Sequence, residues 1–127
     1  MTHPGALIGP STGLLTEGTG GTGGFLNGIR VLDLGSHISA PFCARLLADY
    51  GADVIKVEPT AGDSARRAGP FAGDDPHREK SIAFLYANTN KRGVTLDLAA
   101  QAGKTLLAEL IRSSDILVQN LSPDQAD

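Results

Sequence analysis

Residues 27–59 show a hydrophobic pattern that changes from strand type to helix type and back. Ile29–Leu34 is an apolar run suited to a buried strand, and Val54–Val57 is a second one. Between them, Pro41 is placed to open a helix, where its missing N–H costs nothing, and Gly51 to end it in a left-handed conformation. The i, i+3, i+4, i+7 spacing predicts one apolar helix face, made of Cys43, Leu46, Leu47 and Tyr50. The pattern therefore predicts one βαβ unit.

A second strand–helix–strand pattern follows a polar loop, Thr60–Lys80. Val94–Leu98 is strand-like, a helix is predicted over Gln101–Ser113, and Ile116–Gln119 is a further strand. The buried stripe of this helix is predicted to consist of Leu106, Leu107, Leu110 and Ile111. The short apolar segment Ser81–Tyr86 is compatible with either a strand or a helix. Two consecutive βαβ units predict an α/β fold, a Rossmann-like parallel sheet with flanking helices.

Glycine is concentrated at the start of the chain. Residues 1–24 contain eight of the sixteen glycines and little apolar periodicity. This composition predicts a flexible leader over residues 1–25 and one domain over residues 26–127. Gly18, Gly20 and Gly23 match G-x-G-x-x-G, but a dinucleotide-binding loop follows a strand and opens a helix. Here the motif precedes the first predicted strand, so no phosphate-binding role is assigned to it.

Length and composition limit the class of protein. A chain of 127 residues supports one domain, and its net charge of −3 gives no indication of a nucleic-acid partner. The single cysteine allows no internal disulfide, and the three histidines lack the spacing of metal ligands. No apolar run approaches the roughly 20 residues of a membrane span, and no secretory signal is evident. We therefore expect a cytoplasmic protein without a membrane partner or a metal.

Candidate chemistry lies at the carboxyl ends of the predicted strands, where doubly wound sheets bind ligands. The turn Gly35–Ala40 follows the first strand, and Pro59 follows the second. Ser36, His37 and Ser39 offer donors in this turn, and the N-terminus of the next helix directs N–H groups and its positive dipole end to the same place. Such an arrangement suits a ligand that bears a pyrophosphate or an adenine. The alternative is that the serines only cap the turn and the helix.

Two other residues near this turn receive structural interpretations. Asp33 precedes the turn inside a strand, and no pattern supports a triad of Asp33, Ser36 and His37, because neighbouring strand residues point to opposite faces. Cys43 lies on the predicted apolar helix face, and a buried thiol behaves as a small hydrophobic side chain. We expect Cys43 to belong to the core.

Three motifs, taken together, resemble one protein family. They are Gly28–Pro59 (GIRVLDLGSHISAPFCARLLADYGADVIKVEP), Asn88–Leu98 (NTNKRGVTLDL) and Ser114–Pro123 (SDILVQNLSP). In their order and spacing they are similar to the start of the family III CoA-transferases. That group includes formyl-CoA and carnitine CoA-transferases and, as a cousin, α-methylacyl-CoA racemase. The resemblance runs from about Leu26 to the end of the chain and implies the N-terminal part of that larger fold.

The resemblance also implies which residues contact coenzyme A. Lys91 and Arg92 match a basic family signature suited to phosphate, and Leu96 matches a position that packs on adenine. Asn120 matches a CoA contact, and Leu121 replaces the usual aromatic residue, which removes its stacking. With the turn residues and Pro59, the predicted binding set is Ser36, His37, Ile38, Ser39, Pro59, Lys91, Arg92, Leu96, Asn120 and Leu121. The alternatives are a solvated loop at residues 88–92 and a turn-opening asparagine at Asn120.

The activity implied by the resemblance is the transfer of CoA from an acyl-CoA to a carboxylic acid. In the family a nucleophilic aspartate carries this reaction, and it lies downstream of the three motifs, where this chain has no matching residue. We therefore expect a fragment of a longer, homodimeric enzyme that is inactive alone and uses no metal. The alternatives are a fragment of an α-methylacyl-CoA racemase and a non-catalytic CoA-binding subunit of a split enzyme.

Overall fold

The structure, a computed structural model, describes residues 8–10 and 24–126. Its strands are β1 (Ile8–Pro10), β2 (Arg30–Asp33), β3 (Asp53–Glu58), β4 (Arg92–Thr95) and β5 (Ile116–Val118). Its α-helices are α1 (Ser39–Asp49), α2 (Ile82–Ala87), α3 (Gln101–Arg112) and α4 (Pro123–Ala126). Two 3₁₀ turns, Ser64–Arg67 and Ala72–Asp74, lie in the loop between β3 and α2. The order of the predicted strands and helices is confirmed.

All four predicted strands lie in one sheet and run parallel. The strand order is β1-β4-β3-β2-β5, with β2 between β3 and β5 and with β3 beside β4. The first and the last of the parallel strands are therefore neighbours, and α3 connects the two sides of the sheet. The order of the strands reverses between β2 and β5, which makes their carboxyl ends the topological switch point of a doubly wound sheet. The predicted α/β fold class is confirmed.

Part of the predicted leader is in the sheet. Ile8–Pro10 pairs with β4 in the antiparallel direction. Gly18, Gly20 and Gly23, together with most of residues 1–25, lie outside the described residues. The division into a leader and a domain from residue 26 stays a prediction.

The core consists of two apolar clusters on opposite faces of the sheet. One contains Val31 and Val54 with alanines of α1, and the other contains Leu32 and Ile55 with the partly buried leucines of α3. Val31 pairs with Val54 and Leu32 with Ile55, so each pair of neighbours in the sheet faces the same way. Because successive strand residues alternate between faces, two apolar residues in a row supply both clusters.

The buried face of α1 differs from the predicted one. Its buried residues are Ala40, Pro41, Ala44 and Ala48. Cys43 is exposed, as are Leu46 at 43 % and Tyr50 at 61 %, so the prediction that Cys43 belongs to the core was wrong. The alanines recur at every fourth position, and their small side chains let the helix approach the sheet closely. Gly51 has a φ of 100°, which confirms the predicted left-handed end of the helix.

The ambiguous segment forms α2, and α3 packs as its spacing indicated. Ser81 caps α2 by accepting a hydrogen bond from the Phe84 N–H, and the Phe84 side chain is buried. In α3, Leu106, Leu107 and Leu110 pack against the core, whereas Ile111 is 41 % exposed. Among the described residues, no helix has the length and apolar character to cross a bilayer.

Candidate functional site

The turn between β2 and α1 lies at the switch point of the sheet. Ser36, His37, Ile38 and Ser39 are all exposed there. His37 adopts a φ of 65°, which is uncommon for a residue with a Cβ and reverses the chain into the helix. No side chain caps α1 at Ile38, so the N–H groups of its first turn face the turn region without a cap. This geometry suits a negatively charged ligand group.

Asn120 holds this turn from the carboxyl end of β5. Its Oδ1 accepts a hydrogen bond from the Ser36 N–H at 2.9 Å, and its Nδ2 donates to the Ser36 carbonyl at 3.0 Å. The same Nδ2 donates to Ser39 Oγ at 2.9 Å. Both amide hydrogens of Asn120 are thus engaged by the turn, which leaves oxygen lone pairs as its remaining hydrogen-bonding capacity.

Two buried charged residues hold the turn from below. Lys56, in the middle of β3, donates to the Gly35 carbonyl at 2.9 Å, and Asp63 accepts from the His37 N–H at 2.9 Å. The Lys56 ammonium lies 2.8 Å from the second oxygen of Asp63. Burial would raise the pKa of Asp63, but the charge of Lys56 and hydrogen bonds from Lys56, Ala65 and His37 hold it below its ordinary value. Asp63 is therefore an anion at neutral pH.

Lys91 is a third buried charge, whereas its predicted contact with a ligand phosphate would need an exposed ammonium. The side chain is fully buried, and its ammonium donates to Asp33 at 2.8 Å, to Asn88 at 2.8 Å and to the Pro41 carbonyl at 2.6 Å. Burial lowers the pKa of Lys91 to about 8 in spite of the attraction of Asp33. Lys91 joins α1 and residues 88–92 to the end of β2 and has no surface to offer a ligand.

Arg92 and Leu96 lie at opposite ends of β4, and Leu96, whose N–H donates to the Glu58 carbonyl, is at the carboxyl end. Arg92 opens β4, so its side chain is at the amino edge of the sheet, where it bonds both carboxylate oxygens of Asp53 at 2.6 Å. Leu96 is 4 % exposed and belongs to the core cluster with Leu32 and Ile55. Leu96 thus lies at the carboxyl edge with a buried side chain, and the predicted contacts of Arg92 and Leu96 with the nucleotide stay predictions. Because Arg92 is the first residue of β4, its side chain lies at the edge of the sheet opposite the turn.

The other predicted residues lie at the carboxyl edge. Pro59 is exposed after β3, and Leu121, which is half-buried, follows Asn120. The structure thus brings the turn residues and Asn120 into contact and places Pro59 and Leu121 at the same edge of the sheet.

Sequence reasoning missed the charged residues that support the turn. Beyond Lys56 and Asp63, the Glu58 carboxylate bonds the Arg66 guanidinium at 2.6 and 2.7 Å and accepts the Asp63 N–H at 2.9 Å. The Arg66 guanidinium lies 3.7 Å from the centre of the Phe84 ring. The sequence did contain one indication of these residues. Lys56 stands between apolar residues in a strand with two buried faces, and a buried charge needs a partner inside the protein.

Comparison with known protein families identifies the family of this chain. A family model described as CoA-transferase family III matches residues 26–127. This chain belongs to CoA-transferase family III. The residues of the match include the turn, the buried charges and Asn120.

Individual members of CoA-transferase family III agree with this assignment. The chain is 47 % identical over 100 residues to a succinyl-CoA–L-malate CoA-transferase beta subunit of Chloroflexus aurantiacus, covering 77 % of this chain and 24 % of that one. It is 46 % identical over 103 residues to a formyl-CoA:oxalate CoA-transferase of Afipia carboxidovorans, covering 80 % and 23 %. The chain spans about a quarter of the length of these curated relatives.

A solved structure supports the fold assignment independently. A CAIB/BAIF family protein from Brucella suis superposes with a TM-score of 0.70 and 34 % sequence identity, covering 79 % of this chain and 26 % of that chain. The parallel sheet with flanking helices is therefore the fold of this family.

Proposed function

We propose that this chain is the N-terminal, CoA-binding portion of an enzyme that moves CoA from an acyl-CoA to a carboxylic acid. The observation that carries the proposal is the turn at the switch point. Its backbone from Gly35 to His37 is held by the side chains of Asp33, Lys56, Asp63 and Asn120. A rigid turn that leads into an uncapped helix N-terminus is a suitable contact for the phosphates of CoA. The family relatives whose names state CoA transfer support the reaction class.

The proposed contacts are narrower than the predicted set. They are Ser36, His37, Ile38, Ser39, Pro59, Asn120 and Leu121, all at the carboxyl edge of the sheet. The N–H groups at the start of α1 are the main donors in this proposal, because the turn before them is fixed in place by other side chains, which already accept the N–H groups of Ser36 and His37. Lys91, Arg92 and Leu96 are left out, since two are buried and Arg92 lies at the opposite edge.

The chemical step belongs to residues outside this chain in our proposal. By the family resemblance, an aspartate beyond Asp127 attacks the donor thioester, and the residues described here bind and orient the CoA moiety while that bond breaks. The chain is then inactive alone and works within a longer, homodimeric, cytoplasmic enzyme. The coverage of about a quarter of the curated relatives supports the proposal that the enzyme is longer than this chain.

A pair of isoleucine variants tests the proposed binding site. Ile38 and Ile111 are both exposed, at 55 % and 41 %, but Ile38 is in the turn and Ile111 is at the far end of α3. In the protein at its natural length, Ile38→Glu places a carboxylate beside the ligand phosphates, and we expect CoA binding to weaken at least about tenfold. Ile111→Glu is the control and should retain the wild-type affinity by isothermal titration calorimetry. Equal effects of the two variants would contradict the site.

The reaction class is tested on the protein from its natural source, starting with its intact mass. A mass well above 13.1 kDa would support the fragment proposal. Transfer of CoA from succinyl-CoA or formyl-CoA to a dicarboxylate would then support a transferase. Exchange of the α-proton of a 2-methylacyl-CoA without transfer would favour the racemase, and CoA binding without either activity would favour a binding subunit.

A further inference from the structure

A buried ion pair lies directly beneath the turn. Lys56 is 0 % exposed in β3, and Asp63 is 3 % exposed in the loop that follows β3. Their charged groups are 2.8 Å apart. Removing two charges from water costs free energy that their mutual attraction offsets only with good geometry and further hydrogen bonds, so a buried pair contributes little net stability. The further hydrogen bonds of this pair show what else it fixes.

Both members of the pair hold backbone groups of the turn. Lys56 donates to the Gly35 carbonyl, and Asp63 Oδ1 accepts from the His37 N–H, each at 2.9 Å. These two groups flank Ser36, whose own N–H and carbonyl are held by Asn120 from the other side. The bond to Asp63 is made by the one residue of the turn with a positive φ, where the backbone is least able to keep its conformation unaided.

We infer that Lys56 and Asp63 are positioning residues for CoA, which fix the backbone at Gly35 and His37 so that the first N–H groups of α1 face the ligand. This inference rests on the proposed function, because it takes the turn as the CoA contact. Asp63 also accepts from the Ala65 N–H at 2.9 Å and so connects the 3₁₀ turn Ser64–Arg67 to the ligand turn. Neither side chain reaches the surface, so each acts through the turn and not by touching CoA.

The test compares two buried side chains in the protein at its natural length. Asp63→Ala removes the acceptor of the His37 N–H. Ser81→Ala removes an equally buried group that bonds the Ala65 and Ala68 carbonyls and does not contact the turn. We expect Asp63→Ala to weaken CoA binding at least about tenfold in the folded protein, and Ser81→Ala to lower the melting temperature with CoA affinity within about twofold of wild type.

A second readout does not depend on CoA. Amide hydrogen exchange at His37 should be slow in the wild type, faster in Asp63→Ala and unchanged in Ser81→Ala, because only the first variant removes its acceptor. If Asp63→Ala does not fold, Asp63→Asn replaces it. The amide oxygen keeps an acceptor for both N–H groups but loses the charge opposite Lys56, so a loss of about threefold in affinity is expected.

The outcomes separate this inference from the proposed function. Wild-type CoA affinity in the folded Asp63 variants, or unchanged exchange at His37 in Asp63→Ala, would overturn the inference and leave the proposed function standing. A wild-type protein that does not bind CoA would overturn the proposed function, and the inference with it.

Discussion

The two edges of the parallel sheet carry the same kinds of charged residues in opposite surroundings. At the carboxyl edge, Asp33, Lys56 and Lys91 are fully buried, and each charge also bonds the backbone or an amide. At the amino edge, Asp53 pairs with Arg30 and Arg92 at 3.1 and 2.6 Å, but these side chains are 32–44 % exposed. The distances between the paired charges are alike at the two edges, but water screens only the pairs at the amino edge.

The comparison shows that the distance between two charges does not by itself determine how much an ion pair contributes to stability. Water solvates the amino-edge charges when a partner is lost, so those pairs contribute little to stability. At the carboxyl edge a lost partner leaves an unsolvated charge, which is costly. The buried edge is also the one that carries the turn between β2 and α1, the proposed CoA contact, so its charges determine the shape of the turn as well as the stability of the fold.

The largest expected effect comes from removing one aspartate at each edge. Asp33→Ala leaves Lys91 without its carboxylate and Gly35 without the acceptor of its N–H, whereas Asp53→Ala exposes two guanidinium groups to water. We expect Asp33→Ala to lower the free energy of unfolding by about 3–5 kcal/mol and Asp53→Ala by at most about 1 kcal/mol. Urea unfolding of the protein at natural length measures both. Similar losses would remove the distinction between the edges.

The pH dependence of stability comes next. Burial lowers the pKa of Lys91 from 10.5 to about 8. Between these values the unfolded chain binds more protons than the folded one, so the free energy of unfolding rises with pH, by up to about 1.4 kcal/mol per pH unit. Unfolding in urea at pH 7.5, 9 and 10 checks the rise. Lys91→Met should lack it, and a wild type that loses stability through this range would contradict the buried lysine.

A smaller effect is expected from loosening the turn on its exposed side. Asn120→Ala removes three hydrogen bonds to Ser36 and Ser39, and we expect about tenfold weaker CoA binding, or about 1.4 kcal/mol. Ser113→Ala, which removes one exposed hydrogen bond to the Leu110 carbonyl near the amino edge, is the control. Calorimetric titration of both variants decides whether the effect belongs to the turn. Unchanged affinity in Asn120→Ala would argue against the turn as the contact.

The smallest effect is that of salt. Raising the salt concentration from 0.1 to 1 M shortens the screening length from about 10 to about 3 Å. The stability difference between wild type and Asp53→Ala should then shrink toward zero, whereas the difference for Asp33→Ala should persist. Urea unfolding at the two salt concentrations measures each difference. A salt-insensitive Asp53 pair would mean that the amino edge is less hydrated than its exposure indicates.

The candidate site could be predicted in part, and the residues show where prediction stopped. Asn120 and the turn were predicted from their places after parallel strands and from the family resemblance, and the structure brings them into contact. Lys91 and Arg92, which are adjacent in the sequence, were predicted together, yet one is buried under α1 and the other is at the amino edge. A local pattern does not distinguish them, because Asp33 and the Pro41 carbonyl, the partners that bury Lys91, are far from it in the chain.

The sequence by itself determined the order of the strands and helices, the turn after β2 and the family, because each depends on neighbouring residues or on a motif. Only the tertiary structure decided that alanines and not Cys43 face the core, and that Lys56 and Asp63 meet beneath the turn. Such contacts depend on the register of strands and on how closely a helix approaches the sheet. Those distances are set by packing between segments far apart in the chain, which no local pattern contains.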